Sequence, residues 1–394
     1  MAGIAVFVIA YVLSQFYRSF LAVLTPALTA DLGATKAELS FASGVWFIVF
    51  ALMQFAVGVS LDRFGPRRTA ATLLAIGGGG GALLFSIADT PTTISIAMGL
   101  IGAGCSPVLM APLFIFAKTF SPARFAVLTS WFVAVGSLGN VIGATPLAAA
   151  AEAFGWREVM VGLGIFTLLV AAALFVVVRD PPQENTGSGG TGLSGYVELL
   201  RMKVFWPIIP LMAINYAPAA GIRGLWAGPY LSELYGLDAL AIGDVTLFMA
   251  LGMVAGSFLY GPLDTLFGTR KWVAAVGNAI SLAAVAGLAA FPLIGVPIAT
   301  MLLVVIGVAG MGYGMIMAHS RAFFPPHLTG RGVTLMNFFS IGGVGAMQFA
   351  TGGVVSATFV PSAPVTAYVA LFAFYALLLA VALVIYLFSR DAKP

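Results

Sequence analysis

The feature that most constrains this chain is a series of apolar runs, each about as long as a bilayer is thick. A membrane-spanning helix needs roughly 20 apolar residues, whereas a membrane strand alternates over about ten. Runs of the longer kind occur near residues 3–30, 37–60, 69–88, 92–117, 123–150, 157–178, 204–232, 240–262, 271–291, 295–319, 330–357 and 364–389. Inside lipid each run must satisfy its own backbone hydrogen bonds, and a helix does so within a single segment. The sequence therefore predicts an all-α integral membrane protein with twelve transmembrane helices. Composition agrees, because only 8% of the residues are charged, against about 25% in a soluble domain. Cys105 is the only cysteine, so neither an internal disulfide nor a cysteine metal site can form. No Walker loop, metal-ligand cluster or nucleophile elbow occurs in a suitable context, and the sequence predicts no enzyme, no cofactor and no metal.

The chain also repeats itself. Gly58 to Arg68 reads GVSLDRFGPRR between two apolar runs, and Gly261 to Lys271 reads GPLDTLFGTRK between two others. Lining up the copies sets Asp62 against Asp264 at an offset of 202, and Gly33 against Gly236 and Pro26 against Pro229 at 203. A nearly constant offset through half a chain means duplication. Two pseudo-symmetric six-helix bundles are expected, residues 1–178 and 204–394, joined by a polar, Gly/Ser-containing linker at 179–203. With the amino terminus inside, 14 of the 18 basic residues fall in the loops and tail of one side. The positive-inside rule then places both termini in the cytoplasm, with a bacterial inner membrane as the expected location. No nucleic-acid partner is expected, and one two-bundle chain can form a complete pathway as a monomer.

These features resemble the major facilitator superfamily of transporters. The most specific part of the resemblance is the loop carrying Gly58, Asp62, Arg63, Gly65, Arg67 and Arg68, with a weaker second copy at Asp264 and Arg270. Chemically, Gly65 permits a tight turn, Asp62 can accept from amides at a helix start, and the arginines suit helix ends or lipid phosphates. Plain topogenic charge is the simpler reading of the same residues. The resemblance implies that the loops latch the two bundles together on the cytoplasmic side and release during alternating access.

Two basic residues have no place in any loop. Arg18 lies 13 residues before Asp31 and Arg223 lies 13 before Gly236, which is about 20 Å of helix and puts both at mid-membrane. All 14 acids fall at or near one membrane face or the other, so neither arginine has a carboxylate at its own depth. Such a group needs a wet cavity, backbone carbonyls or a bound anion. Around Arg18, Tyr11 and Gln15 share one helical stripe with Ala22 and Thr25. Around Arg223, Tyr216 and Tyr230 sit seven residues to either side, with Asn215 and Trp226 close by. Phenol hydroxyls and a planar guanidinium together recognise carboxylate or phosphate oxygens. The resemblance implies that helices 1, 4, 7 and 10 line the central cavity, which adds Tyr313 as a contact. Paired arginines on helices 1 and 7 are also similar to the organophosphate–phosphate exchangers.

The reading that follows is a secondary active or facilitative transporter of small organic anions, held between the bundles by Arg18 and Arg223, with a coupling ion or counter-substrate as a further partner beside the lipid bilayer. An amino acid or short peptide could use the same arginines through its carboxylate. A proton-coupled multidrug exporter is disfavoured by the fourth span, GLIGAGCSPVLMAPLF, which lacks the Arg-x-x-Gln-Gly stretch and the acidic residue of many such exporters. A transporter-like ligand sensor is the reading from another class.

Overall fold

The computed structural model describes residues 2–120, 128, 131–181, 194–325 and 328–393, and all regular structure among them is helical. Arg124, residues 182–193 of the linker, His327 and the side chain of Asp62 lie outside the described residues. In chain order the first elements are α1 (Gly3–Phe16), α2 (Leu21–Leu32), α3 (Lys36–Leu61), α4 (Arg63–Ser86), α5 (Pro91–Phe116), α6 (Trp131–Ile142), α7 (Thr145–Phe154) and α8 (Trp156–Val177). Four short helices follow, α9 (Ser194–Arg201), α10 (Ile209–Ile214), α11 (Ala217–Gly221) and α12 (Ala227–Tyr235), with a π-helical turn at Ile222–Trp226 between the last two. The chain ends with α13 (Ala239–Phe267), α14 (Arg270–Ala290), α15 (Val296–Arg321), α16 (Arg331–Thr358) and α17 (Val365–Leu387).

Nine of these helices are long and apolar enough to cross a membrane among the described residues, or up to 11 if α1 with α2 and α6 with α7 each count as one bent span. Of the twelve spans read from hydropathy, three are broken into shorter helices among the described residues. The stretch expected at 204–232 is divided into short pieces, because Pro207, Pro210 and Pro218 withhold amides from the helical ladder. The α6–α7 pair bends by 41°, just before Pro146. The α1–α2 pair bends by 52° at residues 17–20, where the sequence contains neither glycine nor proline.

The repeat is visible in these details. Gly33 ends α2 and Gly236 ends α12, both left-handed with φ of 61° and 66°. Arg18 lies in the α1–α2 break and Arg223 in the π turn, so the two arginines occupy matching irregularities. The two broken spans touch each other. A Cβ on Gly224 would lie 2.9 Å from the carbonyl oxygen of Arg18, and Gly228 packs against the carbonyl of Ala22. Small residues let backbones meet where lipid offers no hydrophobic drive for association.

Polar bridges between the first and second halves of the sequence gather near one end of the helices. There Lys36 meets Glu233 at 2.5 Å and the Thr145 hydroxyl donates to Asp244 at 2.8 Å. Along α3, Ser40 donates to the carbonyl of Gln348, whose own Nε2 donates to Ser43 at 3.1 Å. The charged loops lie at the other end. Gly65 turns the chain with φ 82°, and the Arg67 amide donates to Asp180 at 2.8 Å. In the second copy Arg270 Nε donates to Asp264 at 3.2 Å. The carboxylate of Asp391 accepts from the Thr269 hydroxyl at 2.6 Å and the Lys271 amide at 3.0 Å, fastening the tail to the start of α14.

Candidate functional site

A cavity of about 390 Å³ lies between elements from both halves. Its wall reaches Gly261 and Asp264 near the end of α13, and includes nothing from the end where Lys36 meets Glu233. The cavity therefore faces the end that carries the charged loops.

Of the predicted binding residues, the structure brings Tyr11, Gln15, Arg18, Tyr216 and Tyr313 together on this wall. Arg18 stands on it from the α1–α2 break, one turn beyond Gln15. Its guanidinium sits 4.8 Å from the ring centroid of Phe50 and 5.5 Å from that of Trp46. Ring faces attract a cation without neutralising it. Among the described residues Arg18 forms no ion pair or side-chain hydrogen bond, and its Nε is buried without a partner. Gln15 donates to the Tyr11 hydroxyl at 2.9 Å, and Tyr313 donates to Asn337 at 3.1 Å. Among the described residues the only acid on the wall is Asp264, already held by Arg270. The cavity thus has one unneutralised cation within a ring of neutral hydrogen-bonding groups.

The remaining predicted residues lie elsewhere. Arg223 is buried and does not line this cavity. It donates from Nη1 to Asn140 Oδ1 at 3.0 Å, and from Nη2 to the main-chain carbonyl of the same residue. That carbonyl is available because the Ala144 amide turns to Val141 at the α6–α7 break. Asn215 donates to Asn278 at 2.8 Å, Trp226 Nε1 to Thr351 at 3.0 Å, and Tyr230 to the carbonyl of Pro292 at 2.9 Å. These three bonds tie the broken seventh span to its neighbours. The stripe of residues spaced by seven around Arg223 assumed a regular α-helix, and the π turn rotates everything after it out of that register. On the first span, the bend likewise keeps Ala22 and Thr25 off the wall that Tyr11 and Gln15 share with Arg18.

Sequence reasoning did not single out Ser137, Ser257, Tyr260 or Ser340, all of which line the cavity. Hydroxyls on apolar helices commonly bond their own carbonyls, as Ser137 and Ser257 do here, so residue type alone does not identify them. Asn140, Asn337 and Gln54 are isolated amides in apolar spans, for which lining and helix pairing are equally open from sequence. Asp264, assigned to the loop, also stands on the wall.

The sequence profile of the Major Facilitator Superfamily matches residues 7–227, more than half of the chain. The probable L-galactonate transporter of Escherichia coli is 22% identical over 270 residues, which are 64% of this chain and 59% of that protein. The hexuronate transporter of the same organism is 22% identical over 308 residues, 71% of this chain and 70% of its own length. Among solved structures, the inward-facing, occupied form of a bacterial homologue of the human lysosomal transporter Spinster superposes with a TM-score of 0.75 at 22% identity, covering 98% of this chain and 96% of that one. Helical composition, repeated charged loops, a cavity between the halves and the profile match agree: the chain belongs to the Major Facilitator Superfamily, a family of membrane transporters.

Proposed function

We propose that this transporter carries small organic anions, and that Arg18 supplies the counter-charge. The observation that carries the reading is a guanidinium at mid-span, on the wall of a cavity, with no acid to neutralise it among the described residues. A planar guanidinium offers a donor fork suited to carboxylate or phosphate oxygens. Tyr11, Gln15, Tyr216, Tyr313 and Asn337 would then meet hydroxyl groups on the rest of the ligand. Galactonate and hexuronate, after which the two relatives are named, are hydroxylated monocarboxylates, which fit one cation within many neutral polar groups. An amino acid suits the cavity less well, because its ammonium would need Asp264, which Arg270 already holds.

Transport would proceed by rocking of residues 1–178 against 204–394 about the bound anion. The loops at Gly58, Asp62, Arg63, Gly65, Arg67 and Arg68, and at Asp264 and Arg270, would latch the halves on the cytoplasmic side when the cavity turns outward. Hydrogen bonds to charged groups contribute about 1.5–3 kcal/mol. Arg18→Ala should therefore weaken anion binding by roughly 10- to 100-fold while the protein still inserts and folds. The test is thermal stabilisation of purified protein by glucuronate, galactonate, tartrate and glucose 6-phosphate, with glucose and a cationic drug as controls. Stabilisation by an anion that disappears in Arg18→Ala supports the reading. Stabilisation by the cation alone, or equal stabilisation in the variant, would overturn it.

A further inference from the structure

Asn140 lines the cavity, and Arg223 stands behind it. A guanidinium carries only donors, so the amide of Asn140 can meet it in one orientation alone, with Oδ1 toward Arg223. The amide nitrogen is thereby turned away from Arg223, and its two hydrogens are available on the side that lines the cavity. Nδ2 is not among the buried polar atoms that lack a partner. The second acceptor on this residue, its main-chain carbonyl, is also engaged by Arg223. Both oxygens of Asn140 are thus occupied, and only donors remain.

We propose that Asn140 is an anion-binding donor of the cavity and that Arg223 is the positioning residue that sets its orientation. Arg223 fixes which end of the amide the ligand meets, and polarises that amide through a charge-assisted bond. Its Nε, buried without a partner, and its exclusion from the wall agree with a group that acts through a neighbour. An acceptor at position 140 would repel the carboxylate drawn in by Arg18, so a locked donor is a specificity device. This inference rests on the anion reading of the same cavity.

The experiment measures glucuronate and tartrate affinity, by calorimetry on purified full-length protein, for wild type, Arg18→Ala, Asn140→Asp, Arg223→Lys and Arg223→Met. Asn140→Asp keeps a partner for Arg223 but presents a carboxylate oxygen to the cavity. Affinity should fall on the order of tenfold or more, as expected for loss of a bond to a charged ligand. Arg223→Lys keeps a pure donor against the Asn140 oxygens and should retain affinity within about threefold. Arg223→Met leaves the amide free to turn and should lose affinity nearly as Asn140→Asp does, although Arg223 itself does not line the cavity. Unchanged affinity in Asn140→Asp with slower turnover would overturn the proposal and reduce the pair to a latch between the halves. Unchanged affinity in Arg223→Met would overturn the positioning role. If wild type binds and Arg18→Ala does not, either result strikes this inference alone. If wild type binds neither anion, the anion reading falls with it.

Discussion

Arg18 owes its position to ring faces instead of a counter-charge. A carboxylate beside it would hold it more tightly but would also compete with any anionic ligand, whereas Phe50 and Trp46 orient the guanidinium plane and leave its charge available. Such a contact is worth about 0.5–2 kcal/mol, the larger figure applying where water is excluded. Phe50→Ala should therefore weaken anion binding by roughly two- to thirtyfold in a folded protein. Arg18→Lys should bind more weakly than wild type despite keeping the charge, because an ammonium lacks the planar fork and stacks less well. Isothermal titration of the two variants checks both statements, and wild-type affinity in Phe50→Ala would remove the rings from the account. Arg18 was legible from sequence because depth and unpaired charge are properties of the linear chain. The surroundings of Arg223 were not legible, since its partner Asn140 is 83 residues away and is available only because another span breaks beside it.

Individual elements show the same division. Helix starts and ends follow local chemistry, as in the Thr35–Glu38 capping box that opens α3 and the left-handed glycines that close α2 and α12. Breaks inside the apolar spans are a different matter. Proline explains the short pieces after residue 204, yet hydropathy averages over them, and the bend at residues 17–20 has no residue-level signal. Gly65 is a position where sequence and structure agree. Its φ of 82° and ψ of 162° are open essentially to glycine alone, and a Cβ there would stand 2.7 Å from the Asp180 carboxylate. Such strain costs about 1–3 kcal/mol. Gly65→Ala should lower the melting temperature and slow transport while leaving anion affinity unchanged, and a loss of affinity at normal turnover would contradict the gating role. The tail clasp gives a pH-dependent counterpart. Burial pushes the Asp391 carboxyl up, but bonds from Thr269 and from the amides of Lys271 and Ala392 outweigh it and hold the group below its ordinary value of 3.8. A lowered folded pKa means the clasp stabilises above that value and is lost as pH falls through the lowered one. Asp391→Asn should melt earlier than wild type at neutral pH, and the gap should close on acidification below 3.8.

At the scale of the whole molecule, the two halves are bridged at one end and the cavity faces the other, so exchange of access requires the bridges to open. Two polar contacts hold the closed end: Lys36–Glu233 and Thr145–Asp244. The first is the only ion pair among them. Its lysine lies 3.9 Å from the Phe359 ring centroid, and Glu233 also accepts from the Tyr368 hydroxyl at 2.9 Å. Both charged side chains remain partly exposed, at 17% and 31%, so the bridge is worth about 0.2–1 kcal/mol rather than the value of a buried pair. That is enough to bias an equilibrium between two access states and too little to lock one. Glu233→Gln should therefore shift the population toward opening at this end by roughly 1.5- to 5-fold. A reporter is available in Ala148, which is buried against Gly243 where the halves meet. In a Cys105→Ala background, a cysteine introduced by Ala148→Cys should react faster with an impermeant maleimide when Glu233→Gln is added. High salt should accelerate the parent and have less effect on the Glu233→Gln variant, because screening removes the same attraction. Equal labelling rates in both proteins at low salt would mean that the ion pair only decorates the closed end, and that the remaining contacts between the halves set the balance between the two states.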